Sequence, residues 1–217
     1  MARHGLAIDL GRCTGCYACV IACKSENSTR PGVSWIRIEE KEEGKYPKVS
    51  RSYTPMLCVQ CGEMPCGQVC PTGAIFKGNG GVIFVDPENC ICGPVKPCIE
   101  ECPFGVLTAN EGKRSYFPDY STPDEKDNYE AHQDGVVEKC SFCHHRITSG
   151  ELPACVQACP TKAMVFGDLD ERESDVAQLV SNGKAEALKK ELKVDPSVFY
   201  VRERSAEPSA KGKLQNA

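Results

Sequence analysis

The sixteen cysteines of this 217-residue chain are the residues whose type and spacing could do chemistry. A deprotonated thiol binds metal ions, and two thiols can form a disulfide. The cysteines fall into four blocks of four with none left over, and three blocks end in a Cys-Pro pair. The blocks are Cys13, Cys16, Cys19 and Cys23; Cys58, Cys61, Cys66 and Cys70; Cys90, Cys92, Cys98 and Cys102; and Cys140, Cys143, Cys155 and Cys159. This repetition indicates one kind of metal centre, used several times.

The first block has the spacing of a [4Fe–4S] site. Three cysteines separated by two residues each wrap three corners of one cluster in a tight loop. A fourth cysteine, three residues further on, reaches a neighbouring cluster, as in two-cluster bacterial ferredoxins. The segment from Cys13 to Cys23 follows this template without a gap. Four such blocks predict four [4Fe–4S] clusters with the sixteen cysteines as iron ligands.

Zinc and disulfides are the alternatives. The pairs Cys58 and Cys61, or Cys140 and Cys143, would by themselves suit a structural zinc site. Zinc sites usually join two separate pairs and do not repeat runs of four before a proline, although one zinc could replace one cluster. Disulfides are typical of exported chains, and residues 1–12 leave no room for the apolar segment of a signal peptide.

Charge and hydropathy restrict the location and the partners. No stretch approaches the roughly 18–20 apolar residues of a membrane span. The sequence therefore predicts a chain without a direct span, cytoplasmic unless it is exported folded with a signal-bearing partner. The formal net charge is −4, and four clusters at about −2 each would bring it to roughly −12. This charge disfavours nucleic acid and favours a partner with a basic docking face.

The intervals between blocks suggest how the ligands are shared. Only residues 71–89 separate the second block from the third. This interval is about as long as the one between the two cysteine blocks of a free-standing two-cluster ferredoxin. We therefore pair the inner blocks with each other, and the outer blocks by elimination. The predicted ligands are Cys13, Cys16, Cys19 and Cys159 for cluster 1; Cys23, Cys140, Cys143 and Cys155 for cluster 2; Cys58, Cys61, Cys66 and Cys102 for cluster 3; and Cys70, Cys90, Cys92 and Cys98 for cluster 4.

The third block departs from the template. One residue separates Cys90 from Cys92, and five residues separate Cys92 from Cys98. Such an insertion must bulge and could reposition Cys92. A cluster is still predicted here, because the cysteine count and the Cys102–Pro103 pair are intact.

Short elements are expected to hold the blocks in place. A Gly-rich turn at residues 77–81 predicts a β-hairpin. Residues 6–10 and 198–202 have the apolar, β-branched composition of strands, and residues 173–193 have the pattern of a helix.

These elements predict an α+β fold of two nested ferredoxin-like modules with insertions. With only 7% aromatic residues the apolar core would be thin, so the clusters must replace part of it, and loss of iron should unfold the chain. The predicted boundaries are 1–203 for the whole domain, 58–102 for the inner module, 1–23 with 139–170 for the outer module, 24–57 and 103–138 for the insertions, and 204–217 for a flexible tail.

Segments around the cysteines carry a family resemblance. They are residues 6–13, 23–27, 139–146, 153–160, 167–170 and 198–202. Together they resemble the four-cluster ferredoxin-like subunits of the dimethyl sulfoxide reductase superfamily, which serve polysulfide, thiosulfate, arsenate and nitrate reductases. The chain is also similar to subunits that accompany tungsten aldehyde oxidoreductases. The likeness covers roughly residues 3–203.

The resemblance implies an electron-transfer subunit whose clusters form a line from cluster 1 to cluster 4. A large molybdenum or tungsten pterin catalytic subunit would face cluster 1. A further redox subunit, or a soluble donor or acceptor, would face cluster 4. No catalytic site of the chain's own is expected. Two other functions are considered: a free polyferredoxin carrier or hub, and a metal-stabilised interaction module without a redox role.

Five of the charged or titratable side chains near the cysteines are candidates for a role at the clusters. The pair His144 and His145 is expected to be structural, since each cluster already has four cysteines. The cations Lys24, Lys139 and Arg146 could raise cluster potentials through their charge, or could be ordinary solvated side chains.

Overall fold

The computed structural model describes residues 2–112, 115–117 and 119–202. The predicted tail, 204–217, lies outside the described residues. Short 3₁₀ turns lie at Asn79–Gly81, Tyr129–Ala131 and Lys190–Leu192. The α-helices are α1 Ala18–Glu26, α2 Pro65–Gln68, α3 Pro97–Glu100, α4 Pro123–Asn128, α5 His144–Thr148, α6 Ala154–Gln157 and α7 Asp175–Ser181.

The strands form one larger sheet and three two-stranded ones. The larger sheet has the order β8-β1-β10-β9, and the others pair β2 with β3, β4 with β5, and β6 with β7. The strands are β1 His4–Asp9, β2 Ile36–Lys45, β3 Lys48–Leu57, β4 Ile75–Lys77, β5 Ile83–Val85, β6 Thr108–Ala109, β7 Val137–Glu138, β8 Met164–Asp168, β9 Ala185–Glu186 and β10 Val198–Val201.

The first strand joins the two ends of the described chain. Strand β1 runs parallel to β10, with Leu6 opposite Val198, and antiparallel to β8, with Leu6 opposite Phe166. Helix α1 contacts α6, whereas α2 contacts α3. The beginning of the chain therefore packs on its end, and the middle packs on itself.

Cysteines make up a large share of the core. The main buried cluster combines apolar side chains such as Leu6, Ile8, Ile36 and Leu57 with nine buried cysteines. A second, smaller cluster on the other face of the main sheet packs Ala7 against α7. The thin apolar core predicted from the composition is therefore interleaved with thiols, and most apolar side chains pack around them.

The hairpin and both terminal strands are confirmed, but the helix predicted over residues 173–193 is wrong in its extent. It begins as expected, because the Ser174 side chain accepts a hydrogen bond from the Ala177 N–H and caps α7. It ends after two turns, because Gly183 adopts φ +67° and the Lys184 N–H bonds back to the Leu179 carbonyl. A left-handed glycine of this kind terminates helices.

Strands β2 and β3 form an exposed arm, which we define as residues 39–52. All of these residues are exposed, and cross-strand ion pairs join Arg51 to Glu40 and Glu42. The sequence analysis predicted an insertion here but no strands. A ribbon with solvent on both faces has no apolar alternation to detect.

The second insertion is also ordered where it is described. Helix α4 begins with a capping box, in which the Thr122 and Glu125 side chains each accept a hydrogen bond from the other's backbone N–H. Strands β6 and β7 then pair, with Thr108 opposite Glu138, and lead the chain back to the last cysteine block.

Replacing Tyr200 by phenylalanine should destabilise this fold. The buried Tyr200 hydroxyl donates a 2.8 Å hydrogen bond to the Pro55 carbonyl and so joins the terminal strand to the base of the arm. Losing the donor leaves a buried carbonyl without its partner, which costs about 1–3 kcal/mol. Anaerobic urea unfolding of the iron-loaded chain measures this loss. Tyr46→Phe, on a side chain with 94% exposure, should have no effect, and equal midpoints for the two variants would contradict the prediction.

Candidate iron–sulfur centres

All sixteen cysteines are free thiols, and their burial differs along the fold. The ligands predicted for cluster 2 are all buried. At the other extreme, Cys16 is exposed and Cys13 and Cys92 are half-buried. The sets predicted for clusters 1 and 4 therefore contain the more accessible sulfurs.

Three of the blocks share a left-handed residue immediately before their second cysteine. It is Gly15 with φ +65°, Gln60 with φ +53°, and Phe142 with φ +56°. For non-glycine residues this conformation is strained and costs on the order of 1–3 kcal/mol. Such a residue turns successive backbone N–H groups toward one point, an arrangement that binds anions and is found at many Fe–S sites. A cluster with its thiolates is such an anion.

The third block forms its loop without a left-handed residue. Residues 90–98 are all described, and none has a positive φ. Instead the Lys96 ammonium donates to the carbonyls of Cys92, at 2.6 Å, and Gly93, at 3.0 Å. The insertion is thus closed by a lysine, and Ile91 and Val95 lie on its exposed side.

Short helices place the third cysteine of every block. In each case this cysteine is the second residue of a helix, and in α2 and α3 a proline occupies the first position, where its missing N–H costs nothing. In three blocks the fourth cysteine follows two residues after the helix ends. The third cysteines are Cys19 in α1, Cys66 in α2, Cys98 in α3 and Cys155 in α6.

The structure brings the members of each predicted ligand set close enough for their charges to interact. In every set, one buried thiol interacts with the other three. These interactions join Cys19 to Cys13, Cys159 and Cys16; Cys155 to Cys140, Cys23 and Cys143; Cys61 to Cys58, Cys66 and Cys102; and Cys98 to Cys90, Cys70 and Cys92.

Electrostatic interactions also connect one set to the next. Cys155 also interacts with Cys19, which joins the sets of clusters 1 and 2. Cys140 interacts with Cys58, which joins the sets of clusters 2 and 3. The last connection, between the sets of clusters 3 and 4, is made by Cys66 and Cys98.

Burial disfavours the charged form of these thiols. Burial, followed by the charge of neighbouring thiols, raises the pKa of Cys19 and Cys98 to about 11 and that of Cys61 to about 12. At neutral pH the metal-free chain would keep these protons. Iron must displace them, and its positive charge then compensates the buried thiolates.

Two cysteines at the outer sets behave differently. Burial is the largest single effect on Cys70 and Cys159, but hydrogen bonds from the following turn outweigh it and lower the pKa of both thiols. The Thr72 and Thr161 hydroxyls lie 3.6 Å from the Sγ atoms of Cys70 and Cys159, and donate once these are thiolates. The Ala163 N–H donates to the Cys159 Sγ at 3.3 Å.

The side-chain amide of Asn27 lies near two of the sulfurs predicted to bind cluster 2. The Asn27 Nδ2 lies 3.5 Å from the Cys23 Sγ and 3.9 Å from the Cys143 Sγ. Its backbone carbonyl accepts a 2.9 Å hydrogen bond from the His132 Nε2. The position of Asn27 is thus fixed from the second insertion.

The donor sets fit iron–sulfur clusters. Each set offers four thiols, and those of cluster 2 surround a small enclosed cavity that is otherwise lined mainly by apolar side chains such as Trp35, Leu57 and Phe166. Among the described residues, no three His, Cys, Asp or Glu side chains converge tightly enough to hold a single metal ion.

Comparison with known proteins gives two matches to 4Fe-4S dicluster domains. One model matches residues 49–117 and 121–169, and another matches residues 6–74. The iron–sulfur subunit of the arsenate respiratory reductase of Shewanella sp. strain ANA-3 is 38% identical, over 92% of this chain and 96% of that protein. A subunit of the selenate reductase of Mesobacillus selenatarsenatis is 36% identical over 90% of this chain and 70% of its own length. A subunit of the tetrathionate reductase of Salmonella typhimurium is 31% identical over 92% of this chain and 72% of its own length.

The chain belongs to the iron–sulfur subunits of the dimethyl sulfoxide reductase superfamily. Two dicluster domains and sixteen cysteines give it four [4Fe–4S] clusters. The fold is ferredoxin-like with mixed helices and strands, as the sequence predicted. Within the described residues, no helix is long and apolar enough to cross a bilayer.

The two histidines that follow Cys143 in this iron–sulfur subunit, His144 and His145, have other contacts. The His144 ring packs edge-on against Phe84, and its buried Nδ1 has no hydrogen-bond partner in the described structure. The His145 Nε2 lies 2.8 Å from the Glu26 carboxylate. These positions favour the structural role expected from the sequence.

The three flanking cations occupy different environments. Lys24 binds oxygen atoms of its own loop, among them the Val33 carbonyl at 2.6 Å. Arg146 pairs with Glu26 at 2.8 Å and with Glu151. Lys139 is buried with 4% exposure, so the solvated alternative does not apply to it.

Sequence reasoning missed the hydrogen-bond donors to sulfur. The Cys-Pro-Thr repeat at residues 70–72 and 159–161 was a detectable signal, since a hydroxyl recurs at the same offset from a ligand. Asn27 lies four residues after Cys23, so that contact is local, but its contact with Cys143 spans 116 positions of the chain and gave no signal in the sequence.

Replacing Thr161 by valine should lower the reduction potential of the cluster bound by Cys159. The hydroxyl stabilises negative charge on sulfur, and hydrogen bonds to the sulfurs help to set cluster potentials. We expect a shift within the ~59 mV that corresponds to a tenfold change for one electron, measured by an EPR-monitored redox titration. Thr72→Val should shift a different cluster, so each variant is the control for the other. Unchanged potentials in both iron-replete variants would contradict the role of the hydroxyls.

Proposed function

We propose that the four thiol sets are the ligand sets of four clusters. Cluster 1 is bound by Cys13, Cys16, Cys19 and Cys159, and cluster 2 by Cys23, Cys140, Cys143 and Cys155. Cluster 3 is bound by Cys58, Cys61, Cys66 and Cys102, and cluster 4 by Cys70, Cys90, Cys92 and Cys98. The interaction of one thiol in each set with the other three supports this assignment.

We propose further that the sets belong to two nested modules within residues 1–203. Contacts of α1 with α6, and pairing of β1 with β8 and β10, support an outer module built from residues 1–23 and 139–170. Contacts of α2 with α3 and the β4–β5 hairpin support an inner module at residues 58–102. Residues 24–57 and 103–138 are then insertions between the modules.

The order of the clusters is proposed to be linear, from cluster 1 to cluster 4. The succession of electrostatic interactions between the thiols of Cys19 and Cys155, Cys140 and Cys58, and Cys66 and Cys98 supports this order. Each interaction joins one set to the next. When bound, each [4Fe–4S] cluster takes up and releases one electron at a time. The side chains around them keep water out of the middle of the row, because all ligands of cluster 2 are buried.

Partners are proposed at the two ends of this row. The relatives are named as subunits of arsenate, selenate and tetrathionate reductases. By analogy, a molybdenum or tungsten pterin catalytic subunit docks at cluster 1, and a second redox subunit or a soluble donor or acceptor at cluster 4. Both ends expose apolar side chains suited to docking, with Tyr17 and Ile21 near cluster 1 and Ile91 and Val95 beside cluster 4.

The chain is proposed to fold and load iron in the cytoplasm. All sixteen cysteines must stay reduced until iron arrives, and reducing compartments keep thiols free. Any later export would take place in the folded state with a signal-bearing partner.

Anaerobic purification of the chain with its bound proteins tests the function. We expect four irons and four sulfides for each of four clusters, together with a large pterin-containing subunit. A loaded chain that purifies alone would favour a free polyferredoxin carrier instead. Zinc or disulfides in place of iron would exclude electron transfer.

Replacing Cys19 by alanine should interrupt electron transfer to the catalytic partner. It removes a buried ligand of cluster 1, so the rate at which the partner is reduced should fall at least tenfold, by analogy with the tenfold to hundredfold losses seen when groups that support metal ligands are changed. Stopped-flow reduction of the intact complex measures the rate. Cys70→Ala, at the other end, should spare exchange between cluster 1 and the catalytic partner. An iron-replete Cys19→Ala complex with normal kinetics would argue against the assignment.

A further inference from the structure

Lys139 is a buried cation in the middle of the cluster row. It follows strand β7, precedes the cluster 2 ligand Cys140, and has a relative exposure of 4%. Lysine is almost never fully buried unless its charge is balanced by a partner. The groups that balance the charge of Lys139 therefore indicate its role.

The lysine head is held by backbone oxygens. Its Nζ donates to the carbonyls of Ile83 and Cys140, the latter at 3.0 Å. Gln60 fixes the same two residues, because its Nε2 donates to the Cys140 carbonyl at 2.7 Å and its Oε1 accepts from the Ile83 N–H at 2.8 Å. Both Gln60 and Lys139 are buried, so the ammonium cannot swing out to solvent without breaking this network.

No carboxylate balances this charge. Among the described residues, no Asp or Glu oxygen lies within ion-pair distance, 4.0 Å, of the Lys139 Nζ. The groups that feel its charge are the thiols of Cys66 and Cys140. Burial raises the pKa of both thiols to about 12, and the lysine opposes that rise.

These two sulfurs belong to different proposed clusters, Cys140 to cluster 2 and Cys66 to cluster 3. The lysine therefore lies within electrostatic reach of both inner sets. The charge of Arg146 acts on the Cys143 thiol of the cluster 2 set, but this guanidinium is paired with two carboxylates. Lys24 binds the carbonyls of its own loop.

We infer that Lys139 sets the reduction potentials of the two inner clusters, and that its positive charge raises both. The inference rests on the proposed ligand sets. One electron arriving from a neighbouring cluster adds one negative charge to an inner site, and the positive charge of the ammonium stabilises it. Lys139 thus acts as a positioning residue for charge. It makes reduction of both inner clusters more favourable, whichever outer cluster supplies the electron.

The test compares variants of Lys139 in the full chain, purified anaerobically. Lys139→Gln keeps a donor for the carbonyls but removes the charge, Lys139→Met removes both, and Lys139→Arg keeps the charge. Lys190→Met is the matched control, since it removes an equal charge from an exposed side chain that pairs with Glu186. EPR-monitored redox titration then gives the potential of every cluster.

We expect two of the four potentials to fall in both neutral variants. The equilibrium constant for reduction should decrease about tenfold at each inner cluster, which is ~59 mV for one electron. The arginine variant and Lys190→Met should keep the original values. The shifted signals should be those altered by Cys66→Ala and by Cys140→Ala, and the two outer clusters serve as internal references.

Other outcomes overturn the inference in recognisable ways. Normal potentials in an iron-replete Lys139→Gln chain would show that the charge of Lys139 does not set them and that its role is limited to hydrogen bonding. Loss of iron from all three Lys139 variants would make it a residue of cluster assembly, not of potential. A wild-type chain with fewer than four titrating clusters would instead refute the proposed ligand sets, whatever Lys139 does.

Discussion

Bonds between thiolate and iron are the interaction on which the rest of this fold depends. The main buried cluster interleaves cysteines with a modest number of apolar side chains, whereas the small cluster around Ala7 contains none. Buried thiols with raised pKa values, such as Cys61, pack as small apolar groups while they keep their protons. The bonds that would join them through iron form only when those protons leave, so folding and cluster loading are expected to be coupled, as in other small metal-dependent domains.

The chain positions these bonds with a few repeated local devices. Left-handed residues such as Gln60 and Phe142 bend the loops, and four-residue helices such as α2 and α3 carry a ligand at their second position. Pairing of β1 with β8 and β10 then closes the two ends of the chain on each other. The bends and the short helices are local, whereas the strand pairing and the proposed order of the clusters depend on how distant segments pack.

The sequence predicted whatever depends on short-range pattern. The cysteine blocks, the hairpin near residues 77–81 and the strands at both ends were accessible, because spacing and β-branched runs are local signals. The helix at 173–193 was overextended, because one glycine, Gly183, ended it early. The burial of Lys139 and the contact of Asn27 with Cys143 depend on segments distant in the chain, and no local pattern announces them.

The gradient of sulfur accessibility has a consequence for survival in air. Cys16 is exposed and Cys92 half-buried, whereas the ligands of the inner set around Cys155 are sealed from solvent. Oxidants attack accessible thiolates first. In the proposed order of clusters, damage by oxygen would therefore start at the two ends and advance inward, and the proposed docking sites would be the first to decay. A bound partner would act as a lid over these sites, and assembly of the complex would protect the very atoms that it uses.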